Sequence, residues 1–168
     1  MRKPSILALV LVVSILAWPV AASALPQTAE EMSRADVWAM LLMVRGDILE
    51  NELGKVREAM FDDAGVHDMQ PVIDETNKAM ESLADPEGYQ LAEEDYPAEE
   101  RERYQAFLDR AKEEYRRAAL MIQVIARTIG DKSVGFLVQV TLHELAQVHL
   151  DNATFVLWTL GQAQGRDR

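Results

Sequence analysis

The chain has 168 residues, a formal net charge of −11 at pH 7 and no cysteine. So acidic a chain repels nucleic acid and anionic lipid surfaces, and we expect neither as a partner. The absence of thiols excludes disulfides, thiolate metal sites, a catalytic cysteine and covalent haem attachment.

Residues 1–24 have the composition of a secretory signal peptide. The basic pair Arg2-Lys3 is followed by an apolar run of about 13 residues that ends at Trp18, and then by the small-residue site Ala22-Ser23-Ala24. The run is shorter than the roughly 20 apolar residues that span a membrane, so an uncleaved anchor is the weaker alternative. We predict cleavage before Leu25.

Cleavage there leaves residues 25–168 as a single helical domain, a length that suits one sizeable core. We expect no stable membrane insertion after cleavage. The short leader and the absence of disulfides favour the bacterial periplasm as the compartment.

The first helix of this domain is predicted from Thr28 to about Phe61, with acidic residues in its first turn. The apolar face in the second half of this helix is offset by one residue from that in the first half, which corresponds to a rotation of about 100° around the helix axis. Gly46 lies at this change, and we expect the helix to bend or twist there. The two apolar rows are Val37, Leu41, Val44 and Ile48, and then Leu49, Leu53, Val56 and Met60.

A shorter helix is predicted from Pro71 to Ala84, with Asp68 as its cap and Pro71 in its first turn. The segment that follows, Asp85 to Pro97, contains proline, glycine and consecutive acidic residues. This composition is typical of a surface loop.

The third helix has the clearest pattern in the chain. Between Glu99 and Ile129, apolar residues recur at alternating spacings of four and three, which predicts a long helix with coiled-coil-like packing. The row consists of Tyr104, Leu108, Ala111, Tyr115, Ala118, Ile122, Ile125 and Ile129. Gly130 is expected to end this helix and Ser133 to cap the next one.

The last helix is predicted from Ser133 to Gln162. Its apolar residues cover half of the circumference or more, so we expect it to be the central helix and the tail Gly161–Arg168 to fray. The short connection before it makes it antiparallel to the third helix. The sequence thus predicts an all-α fold, an antiparallel four-helix bundle with three long helices and one short second helix.

Two histidines of the last helix are candidate ligands. His143 and His149 are six residues apart and diverge by about 240° around the axis, so they do not form the H-E-x-x-H zinc motif. His149 falls on the predicted apolar face, where a structural hydrogen bond to a neighbour such as Asn152 is the first interpretation. The alternative is a b-type haem held by His149 and Met40 inside the bundle.

The rest of the chain offers no catalytic, cofactor-binding or metal-ligating motif. The acidic residues between Glu93 and Glu102 lack the glycine-punctuated alternation of a calcium loop and are interpreted as a solvated face. No serine lies in a G-x-S-x-G turn. No catalytic, metal or cofactor residue is therefore assigned, although carboxylates from distant segments can still converge in the fold.

Eight consecutive apolar residues, Val37 to Val44, surround the first helix, so one side must face away from the predicted seam. Either neighbouring helices and the N-terminal segment cover it, or it is an exposed docking surface. Because Val37, Leu41 and Val44 are assigned to the inside, the outward residues are predicted to be Trp38 and Met43. These two residues are the candidate partner-binding pair.

Two functions follow from this interpretation. The first is an exported, non-catalytic helical bundle that binds a protein partner or a second copy of itself, as an accessory, adaptor or sensory component. The second is a periplasmic haem or metal carrier that uses His149. A visible absorption spectrum separates the two, because only the haem carrier would show a Soret band.

Overall fold

A computed structural model describes residues 32–62, 67–131 and 133–166. These residues form four helices, α1 (Arg34–Phe61), α2 (Gln70–Ala84), α3 (Ala98–Thr128) and α4 (Phe136–Arg166). No strand occurs within these ranges, and the predicted four-helix bundle with a short second helix is confirmed. The predicted leader lies outside the described residues.

The start of α1 is fixed by a capping box. The Ser33 hydroxyl oxygen accepts a hydrogen bond from the Asp36 backbone N–H, and the Asp36 carboxylate accepts one from the Ser33 N–H, both at 3.1 Å. The two bonds satisfy backbone donors that the first turn leaves free. The helix therefore begins at Arg34, later than predicted, and the predicted start at Thr28 lies outside the described residues.

One continuous row of side chains faces the core along the whole of α1. Its members recur every three or four residues, so no change of face occurs at Gly46, and the predicted twist is wrong. The row consists of Ala35, Ala39, Leu42, Gly46, Leu49, Leu53 and Val56. In contrast, Val37, Leu41 and Val44, which were predicted to point inward, lie on the exposed side of the helix.

Gly46 is needed for close approach between two helices. A Cβ atom at this position would lie 2.5 Å from the hydroxyl oxygen of Tyr115 on α3 and 2.8 Å from its ring. The buried Tyr115 ring therefore occupies the space that a side chain would need.

The short helix α2 begins at Gln70 with Met69 at its N-cap, so the predicted cap at Asp68 is wrong. The Asp68 carboxylate lies just before the helix and accepts a hydrogen bond from the Gln70 N–H at 3.0 Å. Pro71 lies in the first turn, as predicted. Thr76 is buried, and its hydroxyl donates to the Val72 carbonyl oxygen at 2.8 Å, so its polar group is satisfied within the helix.

The helix α3 is the centre of the bundle. The predicted heptad row from Tyr104 to Ile125 is buried throughout, and Ile129 packs against the core at its end. Among the described helices, α1 and α3 each pack against all three others, whereas α4 packs against α1 and α3 only. The prediction that the last helix is central is therefore wrong, because only one of its two apolar faces is covered.

The turn between α3 and α4 is built differently from the prediction. Gly130 adopts a positive φ of 82°, as expected for the residue after a helix. Ser133 does not cap α4; its hydroxyl donates to the Asp131 carboxylate at 2.7 Å, and the helix begins at Phe136. The buried Gln139 amide donates to the Thr128 carbonyl oxygen at 2.8 Å and so caps the end of α3.

The inner face of α4 consists mainly of small and aliphatic residues, Ala146, Leu150, Ala153, Leu157 and Leu160. The helix does not fray at Gly161 as predicted but continues to Arg166. The buried Gln164 donates to the Ser33 hydroxyl oxygen at 3.0 Å, which ties the end of α4 to the start of α1. Phe61 and Phe136 meet edge to face at the other end, so α1 and α4 are antiparallel.

Candidate functional site

Trp38, one of the two predicted partner-binding residues, holds the loop that follows α2. It is half-buried, and its indole N–H donates to the Gln90 carbonyl oxygen at 3.0 Å. Its ring meets the ring of Tyr89 edge to face, with centroids 5.5 Å apart. Tyr89 is buried, adopts a φ of 65° and lies under the Lys112 ammonium group.

Met43, the other predicted residue, is exposed on α1. The two residues therefore have different surroundings, since Trp38 has intramolecular contacts that explain its position and Met43 presents a free apolar side chain. Their role in partner binding stays a prediction.

The main exposed apolar surface of α1 is the row that was expected to face inward. Val37, Leu41 and Val44 are exposed and Ile48 is partly exposed, and they follow one another at spacings of four, three and four. Met40 lies beside them and is also exposed. We call these five residues the α1 row. Their spacing would place them along one side of a docked helix.

The α1 row leads into a groove between α1 and α2 of about 550 Å³. Its apolar floor is formed by Val44, Ile48 and Pro71. The polar residues along it are mostly acidic or amide side chains: Asp47, Asn51, Glu52, Lys55 and Glu75. An apolar floor with a negative rim attracts an occupant that is both amphipathic and basic.

Glu52 is the unusual member of this groove, because it is a buried carboxylate, exposed by only 2%. One oxygen, Oε1, accepts hydrogen bonds from the Lys55 ammonium group at 2.5 Å and from the Asn51 amide at 3.1 Å. The other oxygen, Oε2, is buried and has no hydrogen-bond partner within the described ranges. A buried acceptor left unpaired is costly, so a donor supplied to it would be favourable.

A second polar pair lies between α3 and α4. His149 Nδ1 and Glu114 Oε2 are 2.5 Å apart, and Arg110 Nε is 3.3 Å from the other Glu114 oxygen. Burial alone would raise the pKa of Glu114, but the hydrogen bond from His149 and the nearby positive charges outweigh it and hold the pKa below its ordinary value. Glu114 is therefore ionised when the protein is folded at neutral pH.

This pair answers the question that the sequence left open about His149. Its partner is Glu114 on the neighbouring helix, and the predicted hydrogen bond to Asn152 is wrong. Met40, the other proposed haem ligand, is exposed on the outer side of α1. The structure therefore does not bring Met40 and His149 together on one buried face.

At the C-terminal end of α3, a second cavity of about 480 Å³ is lined by residues that include Met60, Asp62, His67 and Gln139. His67 Nε2 lies 3.2 Å from an Asp62 carboxylate oxygen. No group of three or more His, Asp or Glu side chains suited to a metal ion is found among the described residues.

Comparison with known proteins gives no match: no protein-family model, no curated protein and no solved structure is similar to this chain. Within the described part of the chain, no helix has the length and apolar character needed to cross a membrane.

Sequence reasoning missed the groove for a specific reason. The groove forms only because α1 and α2 lie side by side with their outer edges open, and no local sequence motif indicates such a contact between helices. Glu52 gives no signal of its own in the sequence, since an acidic residue next to Leu53 is equally compatible with an exposed position.

Proposed function

We propose that the protein is an exported, non-catalytic helical bundle that binds a partner protein, and that the groove between α1 and α2 receives a basic amphipathic helix of that partner. The observation that carries this proposal is the α1 row, an exposed apolar row at heptad spacing that opens into an acidic groove.

The apolar part of the surface supports a helix as the occupant. Val37, Leu41, Val44 and Ile48 cover 12 positions of α1, and the 11 steps between the first and the last correspond to about 16 Å at 1.5 Å per residue. An amphipathic helix contacts such a row with side chains at i, i+3 or i+4, and i+7. Met40, the methionine of the row, adapts to different side chains of the partner.

The charges around the groove support a basic occupant. Asp47 and Glu75 line it, and Lys55 is already engaged by Glu52. The protein as a whole has a net charge of −11. A lysine or arginine of the partner would gain from this field.

The test uses a synthetic peptide as the probe. The peptide repeats Leu-Lys-Lys-Leu-Leu-Lys-Leu, and its control has glutamate in place of every lysine, so the two share one apolar face and differ in charge. We expect the basic peptide to bind the full chain in a fluorescence anisotropy titration and the acidic peptide not to bind. Binding should weaken as salt is added, because exposed charges are screened.

Two variants with the same substitution test the location. Val44→Lys places a positive charge in the groove, and we expect at least about a tenfold loss of affinity for the basic peptide. Val148→Lys makes the same change on α4 at nearly equal exposure, 50% against 48% for Val44, and should bind as the wild type does. Equal binding of both peptides, or unchanged binding by Val44→Lys, would overturn the proposal.

A further inference from the structure

The helix α4 has a second face that no other described helix covers, and half of its residues are apolar. Its residues are exposed, except for the partly exposed Thr159, and follow one another at strictly alternating spacings of three and four for more than three heptads. We call them the α4 seam: Val138, Thr141, Leu145, Val148, Asn152, Phe155, Thr159 and Gln162. This spacing is the a and d pattern of a coiled coil, here on the solvent side of the bundle.

We propose that the α4 seam pairs with the α4 seam of a second copy, so that the protein is a parallel homodimer with the two α4 helices in register. This inference is independent of the proposed helix-binding groove. Within the described bundle, α2, which forms one wall of that groove, does not contact α4.

The distribution of charge favours a second copy as the occupant. Two copies that each have a net charge of −11 repel one another over most of their surfaces. Of the 28 acidic residues, α4 contains only Glu144 and Asp151, and neither belongs to the α4 seam. Self-association is therefore opposed least at this helix, whereas a basic partner would be drawn to the acidic surfaces elsewhere.

The exposed area is sufficient for a dimer. Leu137 and Trp158 flank the seam and are exposed by 76% and 57%. With Val138, Leu145, Val148 and Phe155 they present on the order of 600 Å² of apolar surface, taking about 150–250 Å² for an aromatic side chain and less for an aliphatic one. Two copies together would bury about 1,200 Å² or more, the lower end of specific interfaces.

Three of the four polar residues of the seam are compatible with burial in such a pair, and the fourth, Gln162, is its last residue. The hydroxyls of Thr141 and Thr159 donate to the carbonyl oxygens of Leu137 and Phe155, each at 2.8 Å, so their polar groups are already satisfied. Asn152 forms no hydrogen bond within the described chain. It occupies an a position, where a single asparagine pairs with its own copy and fixes a parallel, in-register dimer.

The first test is the mass in solution. Sedimentation equilibrium over a concentration series should give a dimer for the full chain. Val148→Lys places two like charges opposite each other in the seam, and we expect dimerisation to weaken by at least about 100-fold. Val44→Lys, the same change at nearly equal exposure on α1, should leave the dimer intact. Circular dichroism confirms that both variants are folded.

The second test addresses direction and register. Because the chain has no cysteine, a single introduced thiol reports one contact. Val138→Cys should form a disulfide-linked dimer on mild oxidation, since Val138 meets its own copy only in a parallel pair. Val44→Cys should remain unlinked.

Three results would overturn the proposal. These are a monomeric wild type over the whole concentration series, a Val148→Lys variant that dimerises as the wild type does, and cross-linking between Val138→Cys and Gln162→Cys chains in place of Val138→Cys with itself. Because the groove is tested by peptide binding to Val44→Lys, failure of the dimer is distinguishable from failure of the proposed function.

Discussion

At the scale of single residues, Gly46 shows why side-chain size alone misplaced the buried face of α1. A row that contains alanine and glycine looks weak beside Val37, Leu41 and Val44, yet small residues allow the helix axes to approach. The buried Tyr115 ring then fills the space over Gly46. Close packing of a large aromatic against a residue without a side chain decided which face is inside.

We predict that Gly46→Ala destabilises the protein by about 1–3 kcal/mol, because the added methyl group overpacks the core against Tyr115. Gly54→Ala is the matched control on the same helix, since nothing lies within 4 Å of its added Cβ. There the better helix propensity of alanine should stabilise the protein by about 0.5–1 kcal/mol. Urea titrations of the two variants measure the difference. Midpoints that move in the same direction would contradict the close approach at Gly46.

The residue scale also shows what the sequence hides about His149. Its position on a helical wheel is visible, but its partner Glu114 lies 35 residues earlier on another helix. Nothing in the local pattern indicates which of the charged residues of α3 would turn inward. A long-range polar contact of this kind follows from the rotation of two helices relative to each other, which only the fold determines.

At the scale of helices, α3 could be predicted because one of its faces is apolar and the other is charged. Its buried row and the four-helix architecture are both as the sequence indicates. The helices α1 and α4 each have two apolar faces, so the sequence does not decide which of them is buried. Two of the wrong assignments of the fold, the twist at Gly46 and the central position of α4, come from these two helices.

The assignment of the buried face of α3 is tested by the same substitution at a buried and at an exposed position of the helix. Leu108 is fully buried and Leu120 is exposed by 55%, both on α3. Leu108→Ala leaves a cavity in the core and should cost about 2–5 kcal/mol of the free energy of unfolding. Leu120→Ala should change it by less than about 0.5 kcal/mol. Guanidinium titrations that gave the two variants equal midpoints would refute the assigned face.

At the scale of the whole molecule, the α1 row and the α4 seam expose apolar side chains that the other described helices do not cover. Exposed apolar surface of this extent is costly in a monomer and is typical of interaction sites. The α1 row borders acidic side chains of the groove, whereas the α4 seam lies on the least charged long helix. The two faces therefore favour different occupants, a basic helix and a second copy of the chain.

The predicted export would determine which form of the chain presents these faces. The predicted leader carries the basic residues Arg2 and Lys3, so its removal would make the protein two charges more negative than −11. The mature surface would then repel a second copy more strongly everywhere except along the α4 seam, and it would attract a basic helix more strongly. We predict that intact-mass analysis of the protein recovered from a periplasmic fraction gives a chain that begins at Leu25, because signal peptidase cleaves after small-residue sites such as Ala22-Ser23-Ala24. A mature chain that still contains Trp18 would contradict this prediction and would add its apolar run to the surfaces that need a partner.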